Sequence, residues 1–280
     1  NGFFVAHNDN NHFQTMEDLL GASSFHNINT YALGTYPAGS DRLQYDLNQA
    51  NGTVKKGDRF GYDYHILVNK AQVWTSYTED FGIVHYSVSA RLGGQTMQRD
   101  GKMRNGLFAD NSYGKSKTAK FLEGGFKASG DFNLGGGNTL TLGMGYDMHA
   151  PSASTAFYAP EVNNDFVMNL HNERLFSSEV GYQFLNSWLH ANINAYYNYM
   201  SNVTEWNCFY FDDINSFSYN SLSGLRKESY GIEGALKFKL ASFLDLKLLG
   251  TISEAKNISS ANVIYLNSTE GVYSAPDEAF

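Results

Sequence analysis

The fold class expected of this chain is all-β: an antiparallel up-and-down transmembrane β-barrel, partial, with about eight to ten strands present. Three observations predict it. Long stretches alternate apolar and polar residues with period two, so each strand has one apolar face. Very short turns alternate with long polar loops, as expected of barrels with short periplasmic turns and long extracellular loops. No run of about 18 apolar residues occurs, and barrel strands hide their hydrophobicity in alternation.

Taken in chain order, Gly2 to His7 reads as the end of a strand. Asn8 to Gly61 reads as a long polar loop, a length that points to an extracellular excursion. Within it, Thr15 to Gly21 predicts a short helix, capped by Thr15, with Asp18 in its first turn and Gly21 ending it. Ala71, Val73, Thr75 and Tyr77 form a stripe that is irregular toward its start, followed by a Thr78-Glu79-Asp80 turn. Val84, Tyr86, Val88, Ala90 and Leu92 then oppose His85, Ser87, Ser89 and Arg91. After a Gln98 to Ser116 loop, the stripe from Leu122 through Phe126 and Phe132 to Leu134 opposes Glu123, Lys127 and Asp131.

Gly135-Gly136-Gly137-Asn138 reads as a permissive hairpin turn. It opens a strand and not a helix, so it is no phosphate cradle. Leu140, Leu142, Met144, Tyr146 and Met148 follow, then an Ala150 to Asn172 loop. Phe176, Ser178, Val180, Tyr182 and Phe184 oppose Glu179 and Gln183, with an Asn186-Ser187 turn after them. Leu189, Ala191, Ile193, Ala195, Tyr197 and Tyr199 oppose His190, Asn192 and Asn194. Ser201 to Arg226 reads as a loop. Tyr230 to Leu240 opposes Glu233, Lys237 and Lys239, and past an Ala241-Ser242 turn Leu244 to Ile252 opposes Asp245 and Lys247. A last loop opens near Asn257, and Tyr273 to Phe280 reads as loop because Pro276 breaks a strand. Phe280 is therefore not read as a barrel terminus, and a fragment of a longer chain is expected.

None of the seven stripes from Val84 to Ile252 contains a charge on its apolar side. A charged side chain at mid-bilayer on a lipid face costs about 2–4 kcal/mol. A soluble β-sandwich also alternates, but these strands run to about 11 to 15 residues where globular strands cluster near 5 or 6. The 3 Trp, 19 Tyr and 20 Phe include many near strand ends, such as Trp74, Tyr77, Phe81, Trp188 and Phe243, where interfacial girdles lie.

The net charge of −8 argues against a nucleic-acid partner. The single cysteine, Cys208, forms no internal disulfide. No His or Cys spacing marks a metal site, and no local Ser, His and Asp pattern marks an enzyme. Asp212-Asp213 with Asp165 or Asp110 lacks the spacing of a calcium loop. No cofactor is expected.

Two residue sets are candidates for function. Glu123, Lys127, Asp131, Glu179, His190, Asn192, Asn194, Glu233 and Lys237 would face a lumen, where they line a path or solvate the interior. Trp206, Phe209, Tyr210, Phe211, Phe217 and Tyr219 form the densest aromatic cluster, placed in an extracellular loop, for stacking on a ligand or packing against other loops.

Several segments carry a family resemblance. Met16 to Gly21, Gly57 to Tyr64, Met103 to Phe108, Asn111 to Lys117, Asn172 to Tyr182 and Tyr230 to Gly234 resemble TonB-dependent outer-membrane receptors of the Bacteroidetes type. Asn172 stands where that family usually has Pro. The resemblance covers nearly the whole chain, residues 1–280, and implies part of a 22-stranded barrel in the outer membrane of a Gram-negative bacterium. It implies TonB-dependent import of a small-molecule, glycan or peptide ligand. It also implies partners: outer-membrane lipids, the TonB complex, the receptor's own plug domain and a possible surface lipoprotein. The plug and TonB box are expected upstream of Asn1. A passive porin or adhesin barrel and a soluble carbohydrate-binding β-sandwich are the alternatives.

Overall fold

The computed structural model describes residues 1–212, 216–267, 269 and 271–278, with only the backbone described for Phe211 and 271–278. The described strands are, in order, β1 (Gly2–Thr15), β2 (Phe25–His26), β3 (Thr53–Val54), β4 (Arg59–Asp80), β5 (Val84–Gly101), β6 (Gly114–Lys115) and β7 (Ala119–Gly135). They continue as β8 (Asn138–His149), β9 (Glu173–Leu185), β10 (Leu189–Phe211), β11 (Ser216–Ala241), β12 (Leu244–Asn257), β13 (Ala261–Asn267) and β14 (Gly271–Glu278). One short helix, α1 (Ala153–Ala156), lies between β8 and β9. No described helix is long and apolar enough to cross a membrane.

The protein is all-β, and its long strands form one large antiparallel sheet. Neighbours follow the order β1-β4-β5-β7-β8-β9-β10-β11-β13-β14, with β12 beside the lower half of β11 and β6 beside β5. Among the described residues the sheet is open. β12 and β13 lie in line along β11, interrupted at Ile258 to Ser260.

Register brings the apolar stripes onto one face. Tyr77, Val88, Ala128, Met144, Ser178, Tyr197 and Tyr230 are successive cross-strand partners. So are Tyr86, Gly130, Leu142, Val180, Ala195, Ile232 and Ile252. Many of these large side chains are exposed, including Val88, Leu92, Phe126, Leu142, Val180 and Ile193. The first row starts three residues before the end of β4 and reaches Glu254, three residues before the far end of β12. Hydrogen-bonded rows therefore climb away from the short-turn end across eight strands, the stagger of strands tilted against the rows.

The hairpins β4–β5, β7–β8, β9–β10 and β11–β12 all turn at one end of the sheet. In the β7–β8 turn, Gly135, Gly136 and Gly137 all have φ between 61° and 82°, which only glycine adopts freely. The first hairpin lies later than its sequence position suggested: β4 runs through Thr78-Glu79-Asp80, and the turn is Phe81 to Ile83.

Other boundaries are corrected too. β1 continues through the polar run Asn8 to Thr15, pairing with β4, so the first long loop starts at Met16 and ends at Asp58. Thr15 to Gly21 is not a helix. Thr15 ends β1, the Asp18 carboxylate accepts from the Leu20 amide, and Leu20 and Gly21 have positive φ. A helix this short needs a buried face, and Leu20 is 94% exposed. In the expected loop from Ser201 to Arg226, residues 201–211 and 216–226 are strand, an upward extension of β10 and β11. At about 3.3 Å per residue, the 26-residue β11 is roughly 80 Å long, far more than a bilayer needs. Gly271 to Glu278 is a strand paired with β13, and the register shift between Ala261 and Val263 accommodates Pro276 on this edge strand. Asp213 and Phe280 lie outside the described residues.

The core sits at the long-loop end. The Ala150 to Asn172 segment folds over the polar face and covers Tyr64, Ile66, Met97 and Phe121 with Ala150, Ala156 and Phe157. That cover explains why β4 begins irregularly: its inner face is apolar where the loop seals it. The same segment packs Tyr158, Ala159 and Val167 against Tyr219 of the raised hairpin and Ile264 and Leu266 of β13.

Candidate functional site

The nine candidate lumen residues share the polar face. Asp131, Thr141, Gly181, Asn194 and Glu233 are successive cross-strand partners, and so are Asn192 and Gln183. Lys127, Glu179 and Asn194 line a cavity of about 580 Å³ on this face. Asp131 accepts a 2.6 Å hydrogen bond from Thr141 Oγ1. His190 Nε2 lies 2.8 Å from Gln183 Nε2. Lys237 pairs with Asp245 at 3.0 Å. His190, Asn192 and Lys237 lie near the short turns, apart from Glu123 at the loop end.

Glu123 belongs to a chain of alternating charge. Lys70 pairs with Glu123 at 2.7 Å, and Arg91 approaches the same carboxylate at 3.8 Å. Arg91 holds Asp147 through Nε and Nη2, both at 2.8 Å. His149 bridges Asp147 at 3.0 Å and Glu173 at 3.3 Å. Glu173 in turn accepts from the Thr204 amide, tying the chain to the base of the raised hairpin. Gly125 lies between Arg91 and Asp147 in the register, and a Cβ there would stand 2.5 Å from Asp147 Oδ1. Its lack of a side chain opens the contact. Periodicity alone could not find this chain, since Arg91 and Asp147 are 56 residues apart. The signal would have been matching heights of opposite charges on neighbouring hairpins.

Glu123 is 1% exposed and also accepts the Ala150 amide at 3.0 Å. Glu123→Ala strands two cations and a buried amide, so a loss of about 3–5 kcal/mol is expected. Thermal unfolding should show it, together with faster proteolysis within Ala150 to Asn172. Glu123→Gln, which keeps the bond to Ala150, should lose less.

The aromatic candidates lie on strands, not in a loop, and they divide between two faces. Trp206, Tyr210, Phe217 and Tyr219 share one face with Cys208: Cys208 pairs with Tyr219, and Tyr210 with Phe217. Phe209 alternates onto the opposite face. The side chain of Phe211 lies outside the described residues. Trp206 Nε1 donates to the Tyr158 carbonyl at 2.8 Å, and its ring lies 6.0 Å from that of Tyr219. Tyr210 and Phe217 rings are 5.1 Å apart, and Tyr31 from the first long loop meets both.

Tyr31, Phe217 and Tyr219 edge a second cavity, of about 420 Å³, that no single segment could reveal. Its walls come from the first long loop, the start of β4, the Gly101 to Ser116 region, the Ala150 to Asn172 segment and the raised hairpin. Asn105, with Leu107 and Phe108, holds one wall. Its amide donates to Ser112 Oγ, and its own Oδ1 accepts from the Leu107 amide. Glu161 lines the cavity, and its Oε2 accepts from Tyr219 Oη at 2.6 Å. Burial pushes the Glu161 carboxyl up, and the Tyr219 hydrogen bond pulls it partly back. Burial also pushes the Cys208 thiol up to about 11, so it stays protonated and a poor nucleophile.

The raised Glu161 pKa makes the folded protein hold this proton more tightly than the unfolded chain. Stability from that proton is complete below the ordinary carboxylate range and is lost as pH rises through the folded-state pKa. Glu161→Gln should remove that loss. Thermal midpoints compared between about pH 4 and pH 7 should shift progressively in favour of the Gln variant.

Among the described residues no group of three or more His, Cys, Asp and Glu could hold a metal ion. Asp110 is exposed and faces Arg104 at 3.7 Å, and Asp165 accepts from Tyr158 Oη. No family model and no curated protein sequence matches this chain.

Proposed function

We propose that this chain is part of the barrel wall and mouth of a TonB-dependent outer-membrane receptor, importing a ligand captured at its long-loop end. The observation that carries this reading is the exposed apolar face. It is continuous across the sheet, carries no charge between the short turns and the level of Arg174 and Glu228 apart from Glu79 beside the first turn and Glu254 near the mouth, and is opposed by a polar face bearing ion pairs. A soluble sheet would cover such a face, whereas a bilayer matches it. The asymmetry of the ends supports the direction of transport. Short turns fit the periplasmic rim, and the covered, cavity-bearing end fits the extracellular mouth.

The segments that resemble the receptor family also knit this mouth. Arg59 pairs with Asp63 at 2.5 Å, and Ser112 and Ser116 bond to Arg99. Outer-membrane lipids, a plug domain, the TonB complex and a surface lipoprotein are the partners this reading requires or allows. Cells carrying the protein should yield it in the outer-membrane fraction, with mobility on a denaturing gel that changes on heating. Recovery in the soluble fraction without that change would overturn the reading and leave the stripes as the core of a β-sandwich.

A further inference from the structure

We propose that the mouth cavity binds an organic cation of the alkylammonium class, caged by aromatic rings and countered by Glu161. Three features of the cavity carry this. Its volume of about 420 Å³ suits a small molecule. Its lining is rich in rings, among them Tyr31, Tyr45, Tyr62, Phe217 and Tyr219, and such faces attract cations. Its one carboxylate has no cationic partner: no Lys or Arg lines the cavity, and Glu161 forms no ion pair among the described residues.

The buried cation Arg99 is already engaged. Arg99 donates to the carbonyls of Pro160 and Ser112 and to Asn164 Oδ1, and its guanidinium lies 5.0 Å from the Tyr64 ring centre. Neutral partners surround Glu161 instead. Tyr219 donates to it, and Tyr45, Tyr62 and the Cys208 thiol lie within its electrostatic reach. None of these ionises near neutral pH; burial above all pushes Tyr45 up to about 12. An uncompensated, largely buried carboxyl is costly in the empty protein and becomes an asset when a cation enters. A neutral sugar would use the rings and leave the carboxyl unmatched. An anion would be repelled.

The inference rests on the cavity alone and stands whether or not the sheet spans a membrane. It can be tested by calorimetric titration of the purified protein with choline and with its neutral isostere 3,3-dimethylbutan-1-ol. Choline should bind at least about tenfold more tightly than the isostere, and more tightly as pH rises through the Glu161 titration. Glu161→Gln should erase that preference, and Tyr31→Leu, which keeps bulk but removes a π-face, should weaken choline several-fold. Equal binding of the two probes, undiminished choline binding by the Gln variant, or no choline binding by folded protein would each overturn the proposal. Choline binding by a protein found in the soluble fraction would sustain it and sink the membrane reading.

Discussion

Val88→Arg is expected to abolish recovery of the folded protein from the outer membrane, while Ser87→Arg one residue earlier leaves recovery near normal. Val88 is 42% exposed on the apolar face, between Tyr77 and Ala128 in the register. On the membrane reading, an arginine there would hold its guanidinium against hydrocarbon, at a cost that rises with depth to about 2–4 kcal/mol at the midplane. Ser87 faces the other way, between Thr78 and Ser129. An arginine at Ser87 enters a polar, hydrated face that already carries Lys127 and Glu179. The pair holds chain position and chemistry constant and varies only the side of the sheet. Fractionation and heat-dependent gel mobility read the result. Equal tolerance of both substitutions would mean that the apolar face does not meet lipid.

Arg99→Ala should loosen the mouth more than any other single truncation there. The Arg99 side chain is 1% exposed and donates to three acceptors on two different loops. Removing it leaves those acceptors buried without a donor, at about 1–3 kcal/mol for each. Arg99→Lys keeps the charge but lacks the planar fork that reaches Pro160, Ser112 and Asn164 together, so it should restore little. Proteolysis should accelerate in both 102–118 and 150–172 at once, with the strands below unaffected. Cleavage confined to one loop would show that the two are anchored independently.

How much of this was legible in the sequence depended on where the physical signal lay. The strand faces were legible because one face of each is apolar along its length and the other polar, and a period of two records that directly. β1 was cut short in the sequence reading because Asn8 to Asn11 carry no apolar alternation; these residues are exposed and are held by backbone pairing with β4. The raised hairpin was misread as loop for a related reason. Beyond Met200 its register shifts twice, so the alternation changes phase where Val203 and Leu222 turn into a separate cluster. The candidate lumen residues came from the same alternation and do share one face. The ion chain from Lys70 to Glu173 and the cavity around Glu161 depended on contacts between segments far apart in sequence. A lone glutamate after a proline gives no local sign of the rings that four other segments bring to it.

The stagger of the sheet has a consequence for reading any mutational scan of this protein. On the membrane reading, depth in the bilayer would not follow hydrogen-bonded partnership. Tyr77 and Tyr230 belong to one row, yet the first sits by the short turns and the second near the mouth. Contours of equal tolerance to charge should therefore run as diagonals across the strand pairings, displaced by a roughly constant step from each strand to the next. The slope of those diagonals would measure the tilt of the wall from genetics alone.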